Sequence, residues 1–409
     1  MRFTKILTAF FTFTIFYLFA DIQVGIANID ITPEISMPSA GYHARLDNKM
    51  QGIHDPLYAS AMVIYNGRKA IALCSIDNLG FDYSMTQEII KKVSSECRVL
   101  EGNIFIGSSH THSGAGSYLN FPIIGEIIAG KFDSSFRENL IEKTADVIIQ
   151  AFKELKDAKI GIGYGDIQDL NEYRGKVPTT IEPRKTITII KVTDLSDNVI
   201  GVFYNFALHP TLLPHENMLF SADFIGATRN YLKETFSDDL ISIYFNGAQG
   251  DVIPNSKYLY QDNYFESLDL FAKKLSAKII DISSKITTKD ELDIDVKNFP
   301  YEFDVKPTSI GLKIPIEKYK TEMNLITLDK KHAFLTIPAE LSCIYDYELR
   351  KEAKKKFLDL SILGLTNDAH GHIMPIEAWD LKSFETQISF GGREYGPFVK
   401  DIALDLINR

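Results

Sequence analysis

The stretch Asn103-Ile104-Phe105-Ile106-Gly107-Ser108-Ser109-His110-Thr111-His112-Ser113 decides how the chain is read. It opens as a short run rich in Ile and Phe, the composition of a buried strand, and ends in a His-x-His pair. On an extended backbone, side chains two positions apart point to the same face, so both rings are expected to address one site.

The same arrangement recurs on either side of this stretch. Candidate strands Lys69–Ile76, Ile200–Leu208 and Leu240–Asn246 run into Asp77, His209-Pro210-Thr211 and Gly250-Asp251. Two more, His332–Ile337 and Ser361–Thr366, run into Pro338-Ala339-Glu340 and Asn367-Asp368-Ala369-His370-Gly371-His372. Helix-period segments alternate with them at Ser84–Cys97, Phe136–Leu155, Ala222–Phe236, Tyr264–Ser284 and Cys343–Phe357. This alternation predicts an α/β fold, a largely parallel or mixed sheet flanked by helices with right-handed crossovers.

In a parallel sheet the carboxyl ends of the strands share one edge, where such folds bind ligands. Five of the nine histidines fall at these ends, so one rim is expected to carry His, Asp and Glu. That is the composition of a metal site. Each member alone has a plainer reading: His209 as a hydrogen-bonded structural residue, Glu340 as a helix cap or surface carboxylate, Asp77 as a loop cap. Recurrence at strand ends is what favours the metal.

The 409 residues are 45% apolar and 24% charged, which excludes a disordered chain, a collagen-like repeat and a multispanning membrane protein. The net charge of −10 comes with no basic face of the kind phosphate backbones require, so no nucleic-acid partner is expected. Cys74, Cys97 and Cys343 are too few for a disulfide framework and read as core thiols. Met1–Ala20 (MRFTKILTAFFTFTIFYLFA) places two cations before an apolar run and reads as a signal peptide or an N-terminal anchor. The mature protein is then secreted or periplasmic. Residues 21–409 show no repeat or Gly/Ser linker and are read as a single large catalytic domain, with a peripheral strand layer in 285–330.

Several segments together resemble the neutral/alkaline non-lysosomal ceramidase family. They are Val24-Gly25-Ile26-Ala27-Asn28-Ile29-Asp30-Ile31-Thr32-Pro33 with Gly41-Tyr42, Gly52-Ile53-His54-Asp55-Pro56-Leu57 with Ala59, and Ser109 to Gly114. Asn205 to Thr211, Gly250-Asp251-Val252-Ile253-Pro254-Asn255, Pro338-Ala339-Glu340 and Tyr395-Gly396-Pro397 follow in family order. The resemblance implies a zinc amidase that cleaves the N-acyl bond of ceramide or a related lipid, without the C-terminal immunoglobulin-like domain of longer members. It implies one zinc ion with ligands His110, His209 and Glu340, and a proton-transfer role for His112. Arg174, in Asn171-Glu172-Tyr173-Arg174, is implied to orient substrate.

Three positions depart from the family pattern. Ile253 stands where the family has a Ser proposed as nucleophile, and Phe384 replaces a Tyr. His372 aligns with the Tyr that serves as fourth zinc ligand. Whether His370, His372 or Asp368 completes the shell stays open at this level, as does the bond cleaved: an ester or a sugar N-acetyl group is an alternative, and so is a metal-retaining pseudoenzyme that only binds. Asp77 and Asp251 are expected to orient ligand imidazoles, with Asp251 as a simple turn brace the competing reading. The apolar stretch Tyr118–Phe132, with Ile123, Ile124, Ile127 and Ile128, reads as the lip of an acyl pocket, a peripheral membrane contact or a short packed helix.

Overall fold

Short apolar runs, many of them buried on both faces, give the main strands, and three sheets use them. In chain order these strands are β1 (Gln23–Asp30), β2 (Tyr58–Tyr65), β3 (Ala70–Ile76), β4 (Ile104–Ser108), β5 (Lys159–Asp166) and β6 (Thr186–Thr193). They continue with β7 (Val199–Phe206), β8 (Ile241–Asn246), β9 (Ile294–Asp304), β10 (Lys318–Leu328), β11 (His332–Ile337) and β12 (Asp359–Gly364). The longer helices are α1 (Tyr83–Glu96), α2 (Ser134–Lys153), α3 (Phe224–Phe236), α4 (Tyr264–Lys285), α5 (Cys343–Lys355) and α6 (Tyr395–Asn408). The computed structural model describes residues 22–33, 36–45, 47–121, 124–259 and 262–409. Met1–Ala20, read above as a signal peptide or anchor, and Ile123 of the apolar stretch lie outside the described residues.

The sheets have strand orders β4-β3-β2-β1, extended by the short strand Lys156–Asp157, then β8-β7-β6-β5 and β9-β10-β11-β12. All are mixed. The pairs β3/β4, β7/β8 and β11/β12 run parallel, and the other main pairings run antiparallel. The α/β class with mixed sheets flanked by helices is therefore as expected, whereas three sheets replace the single one read from the sequence. The reason lies in the connections. Asn66–Lys69, Asp194–Asn198 and Asp329–Lys331 are turns too short for a crossover, so they force antiparallel neighbours.

One face of each sheet meets the other two in a shared core that includes Leu73, Phe105, Phe203, Phe245, Phe334 and Leu363. Alternate residues of the first two sheets, such as Cys74, Ile106, Tyr204 and Tyr244, pack under α1–α4. Leu335, Ile337 and Ile362 of the third face α5 and α6. All three cysteines are buried and unpaired. Truncating a side chain in such a core typically costs about 2–5 kcal/mol, because the neighbours cannot collapse onto the gap.

Buried amides stitch the strand ends together. Asn246 Nδ2 donates to Ser109 O at 3.3 Å and its Oδ1 accepts from Leu208 N at 3.2 Å. Asn367 Oδ1 accepts from Ile106 N at 2.7 Å. Each sheet thus contributes one parallel pair, and the carboxyl ends of those pairs are brought together by bonds that satisfy otherwise orphaned backbone groups. Among the described residues no helix is long and apolar enough to cross a membrane.

Candidate metal centre

His110 follows β4, His209 follows β7, and Glu340 and His372 follow β11 and β12. The last two meet in a short parallel ladder, Glu340-Leu341 against His372-Ile373. His110 Nε2 lies 3.2 Å and His209 Nε2 3.1 Å from Glu340 Oε2, with His372 Nδ1 at 3.6 Å from the same oxygen. All four residues are buried. The rim predicted from strand ends is a real convergence.

Backbone carbonyls set the tautomers of two rings. His110 Nδ1 lies 2.6 Å from Leu79 O and His209 Nδ1 2.8 Å from Gln249 O. A carbonyl only accepts, so Nδ1 carries a proton in both rings and Nε2 is the nitrogen turned toward Glu340. Burial, helped by the charge of Arg174, pushes the His209 pKa down to about 3 against the opposing pull of Glu340. Burial likewise lowers His372. Burial would raise the Glu340 carboxyl, but the imidazoles of His110 and His372 outweigh it and hold the group well below the usual carboxylate range.

The result is one carboxylate oxygen with three ring nitrogens 3.1–3.6 Å away. Glu340 Oε2 and His372 Nδ1 have no hydrogen-bond partner. Groups buried this way are costly unless a cation lies among them, and imidazoles with one carboxylate suit a borderline divalent ion. The residues present fit a metal.

His112 joins the cluster. Its ring centroid is 5.0 Å from that of His110 and 5.7 Å from that of His209, and the ligand atoms of these three rings lie within 4.8 Å of one another. Neither ring nitrogen has a partner. Burial, then the neighbouring His110 and His209, push its pKa well below the ordinary value, so the ring is neutral. The rings converge for a reason other than strand alternation. His110 adopts φ +70°, a left-handed conformation, so the pair does not lie on extended backbone. On the far side, the Tyr42 ring meets His112 edge-on at 4.9 Å, and Gly41 (φ +106°) leaves the space that a Cβ would take 2.7 Å from the imidazole.

Arg174 follows the short strand Asn171–Tyr173, which pairs antiparallel with Val252–Pro254. Its Nε donates to Glu385 Oε1 at 3.0 Å and its Nη2 to Gly250 O at 3.2 Å. Its charge depresses His112, His209 and His372, so it stands within electrostatic reach of the cluster. Ile253 lies opposite Glu172 in that ladder, and Phe384 is half exposed.

The structure also separates residues that the sequence left together. His370 Nδ1 contacts Asp368 Oδ2 at 3.0 Å and its Nε2 contacts the Tyr395 hydroxyl at 2.5 Å. Asp368 further accepts from Tyr319 and Thr321. That pair is committed elsewhere, and His372 is the member that faces Glu340. Asp77 accepts from Arg229 at 2.7 Å and from Tyr58 N at 2.9 Å. Asp251 accepts from the Ser342 hydroxyl at 2.5 Å and Cys343 N at 2.8 Å, fixing the start of α5 just beyond Glu340. The expectation that these two carboxylates orient imidazoles is therefore corrected: the carbonyls of Leu79 and Gln249 do so. Backbone acceptors leave no mark in a sequence. Glu385, the anchor of Arg174, was also missed, and its place beside Phe384 was the available signal.

Beside His110 and Glu340 lies an apolar cavity of about 60 Å³ whose walls include Leu79, Leu119, Phe121, Ile128, Ile388 and Phe390. Part of the apolar stretch thus lines this cavity, while Ile127 is half exposed on the short helix Ile124–Ala129.

An α/β scaffold with His, His, His and Glu gathered at its strand ends defines a candidate metalloprotein. Residues 22–264 match the family model described as neutral/alkaline non-lysosomal ceramidase, N-terminal, and the chain belongs to that family. The matched residues include His110, His112, Arg174 and His209, whereas Glu340 and His372 lie beyond them. The neutral ceramidase of Drosophila pseudoobscura pseudoobscura is 25% identical over 258 residues, covering 58% of this chain and 36% of its own length. That of Oryza sativa subsp. japonica is 28% identical over 229 residues, covering 52% of this chain and 28% of its own length. The matches thus span about a third of the length of these curated relatives. The crystal structure of neutral ceramidase from Pseudomonas aeruginosa superposes with a TM-score of 0.82 at 15% identity, over 95% of this chain and 74% of that one. A ceramidase structure described as complexed with C2 gives the same TM-score, 0.82, at 15% identity over 95% of this chain and 75% of that one. These likenesses establish the fold.

Proposed function

We propose that the chain is a zinc-dependent amidohydrolase that cleaves the N-acyl bond of a lipid such as ceramide. One ion would be held by His110, His209, Glu340 and His372. The observation that carries this reading is the unpartnered, buried Glu340 Oε2, with nitrogens of these three rings between 3.1 and 3.6 Å away. When bound, zinc supplies Lewis acidity and makes hydroxide available from water at neutral pH.

The chain's own groups do the rest. His110 and His209 are held by Leu79 O and Gln249 O with Nε2 facing inward. His112, neutral and without a hydrogen-bond partner, accepts the proton of the attacking water and returns it to the amine nitrogen as the C–N bond breaks. Arg174, braced by Glu385 and Gly250 O, directs positive charge toward the site and supports the oxyanion of the tetrahedral intermediate. Ile253 has no nucleophilic atom, so attack falls to water rather than to a side chain.

A second reading, hydrolysis of a smaller N-acyl or ester substrate, is supported by the cavity of about 60 Å³ beside His110 and Glu340, which is short for a long acyl chain. The leader reading of Met1–Ala20 extends the proposal to a secreted or periplasmic enzyme, with half-exposed Ile127 as the candidate membrane contact. The test is metal content and hydrolysis measured together across long-chain amides, short-chain amides and esters, for the wild type and for His110→Ala and His209→Ala. Both variants should lose metal and activity. Full metal in either variant refutes the ligand set, and activity confined to esters refutes the amidase.

A further inference from the structure

A second feature lies along α5, between that helix and the start of β12. It is an open groove of about 470 Å³ lined by Arg184, Arg350, Lys351 and Lys354, with Tyr164 and Tyr347 among its other walls. Small-molecule sites typically measure ~300–1,000 Å³. α5 begins beside the metal cluster, and Lys354 lies eleven residues further along it, a rise of about 17 Å. The groove is thus separate from the proposed hydrolytic site.

Four cations facing one volume are unusual in a chain of net charge −10. Two are rigidly mounted. Arg184 Nη1 donates to Leu360 O at 3.0 Å and Ser361 Oγ at 3.2 Å, and its Nη2 to Thr188 Oγ1 at 3.3 Å. Arg350 is held through Nε on Asp346 Oδ2 at 3.0 Å. Lys351 and Lys354 are exposed on one face of α5, with Tyr347 one turn before them. Of the acidic groups near the groove, Asp346 is engaged by Arg350, Asp359 lies 3.4 Å from Lys331, and Asp166 accepts from the groove-lining Thr186 at 2.7 Å. Neither lysine has an ion pair among the described residues. Burial above all, together with the charge of Arg350, pushes the Arg184 guanidinium down against the pull of Asp346. The gathered cations repel one another, and an anion between them would relieve that repulsion.

Anchored guanidinium forks next to exposed ammonium groups suit the oxygens of a phosphate. We propose that this groove binds a phosphate-bearing ligand, either a soluble phosphate monoester or the head group of an anionic lipid. Phe357 separates the two sources. It stands just past the end of α5, 88% exposed at φ +61°, where it would enter a lipid surface but would not touch a small ligand in the groove.

The experiment is equilibrium binding of glycerol phosphate, and of phosphatidylglycerol vesicles against phosphatidylcholine vesicles, to the full chain. The variants are the double substitution Lys351→Gln with Lys354→Gln, and Phe357→Ser. The wild type should bind at least one phosphate probe saturably, and the double variant should bind it about tenfold or more weakly. Its thermal midpoint and its hydrolysis of a soluble substrate should not change. Binding of glycerol phosphate assigns the soluble source. Binding confined to phosphatidylglycerol vesicles and weakened by Phe357→Ser assigns the head group. Absence of saturable binding to either probe, or equal binding by wild type and double variant, overturns the proposal.

Discussion

Glu340 and His372 are register partners in a two-residue parallel ladder, and His372 Nδ1 stands 3.6 Å from Glu340 Oε2. The ladder extends the β11/β12 pairing past the ends of those strands, so two proposed ligands are fixed to each other by main-chain bonds before any ion binds. Asp251 secures the same segment by capping the start of α5. Rigid mounting of this kind lets buried groups of poor mutual affinity stay together.

Removing the ion should therefore cost stability. Without it the buried Glu340 Oε2 has no hydrogen-bond partner. An ion present at about 1,000 times its Kd contributes ~4 kcal/mol to the folded state. Thermal unfolding with a chelator should show a midpoint several degrees lower, restored by added zinc. An unchanged midpoint is evidence against a structural stake in the metal.

His112 is expected to separate chemistry from binding. His112→Ala should retain the metal and lose about 10²–10⁴ in kcat, the range of a positioned base. Metal analysis beside steady-state kinetics checks this. Near-normal turnover excludes the proton-transfer role, and loss of metal makes His112 a ligand instead.

Arg174 and Glu385 form one unit, with Nε 3.0 Å from Oε1. Arg174→Ala should lower kcat by about 10²–10³, as removal of an oxyanion donor does. Glu385→Gln keeps an acceptor for Nε but removes the charge, and should have a smaller effect of the same kind. A change in KM alone for both variants would reassign Arg174 to uniform substrate binding.

Asp223 supplies a pH signature outside the proposed ligand set. Burial pushes its carboxyl up to about 7, although the backbone amides of Leu213 and Phe224 pull the other way. A raised folded-state pKa means that the native chain holds this proton where the unfolded chain has released it. The group's contribution is full below the unfolded value of 3.8 and is lost as pH rises through about 7. Stability of the wild type relative to Asp223→Asn should thus fall between about pH 4 and pH 7 in urea unfolding and level off above that. A flat difference contradicts this.

Much of the parallel framework was legible because its strands are apolar on both faces. All six predicted strands and all five predicted helices have counterparts within a few residues. The antiparallel strands were harder to see. β5 reads Lys159-Ile160-Gly161-Ile162-Gly163-Tyr164-Gly165-Asp166, which looks like a turn-rich loop. Its glycines make one bare face on which Ile282 and Ile286 of the α4 end pack, and a Cβ at Gly163 would come 2.5 Å from Ile286. The β10–β11 hairpin places Asp329 and Lys330 at φ +52° and +57° without a glycine to announce it. β2 is diluted by Ala and Ser, and β9 alternates exposed polar residues with half-buried ones.

The proposed site divides in the same way. Recurrence of imidazoles and carboxylates at strand ends pointed to a shared rim, and the family resemblance singled out His110, His209, Glu340 and His372 on it. The resemblance favoured His372, but strand-end recurrence did not separate it from His370, which Tyr395 and Asp368 claim. The convergence of His110 and His112 was expected for the wrong reason, since a left-handed residue rather than strand alternation produces it.

The most direct measurement is anomalous diffraction at the zinc edge from crystals of the full chain grown with zinc. A single strong peak should lie among His110 Nε2, His209 Nε2, the Glu340 carboxylate and the His372 ring. A peak elsewhere in the molecule, with none among these four side chains, would contradict the account.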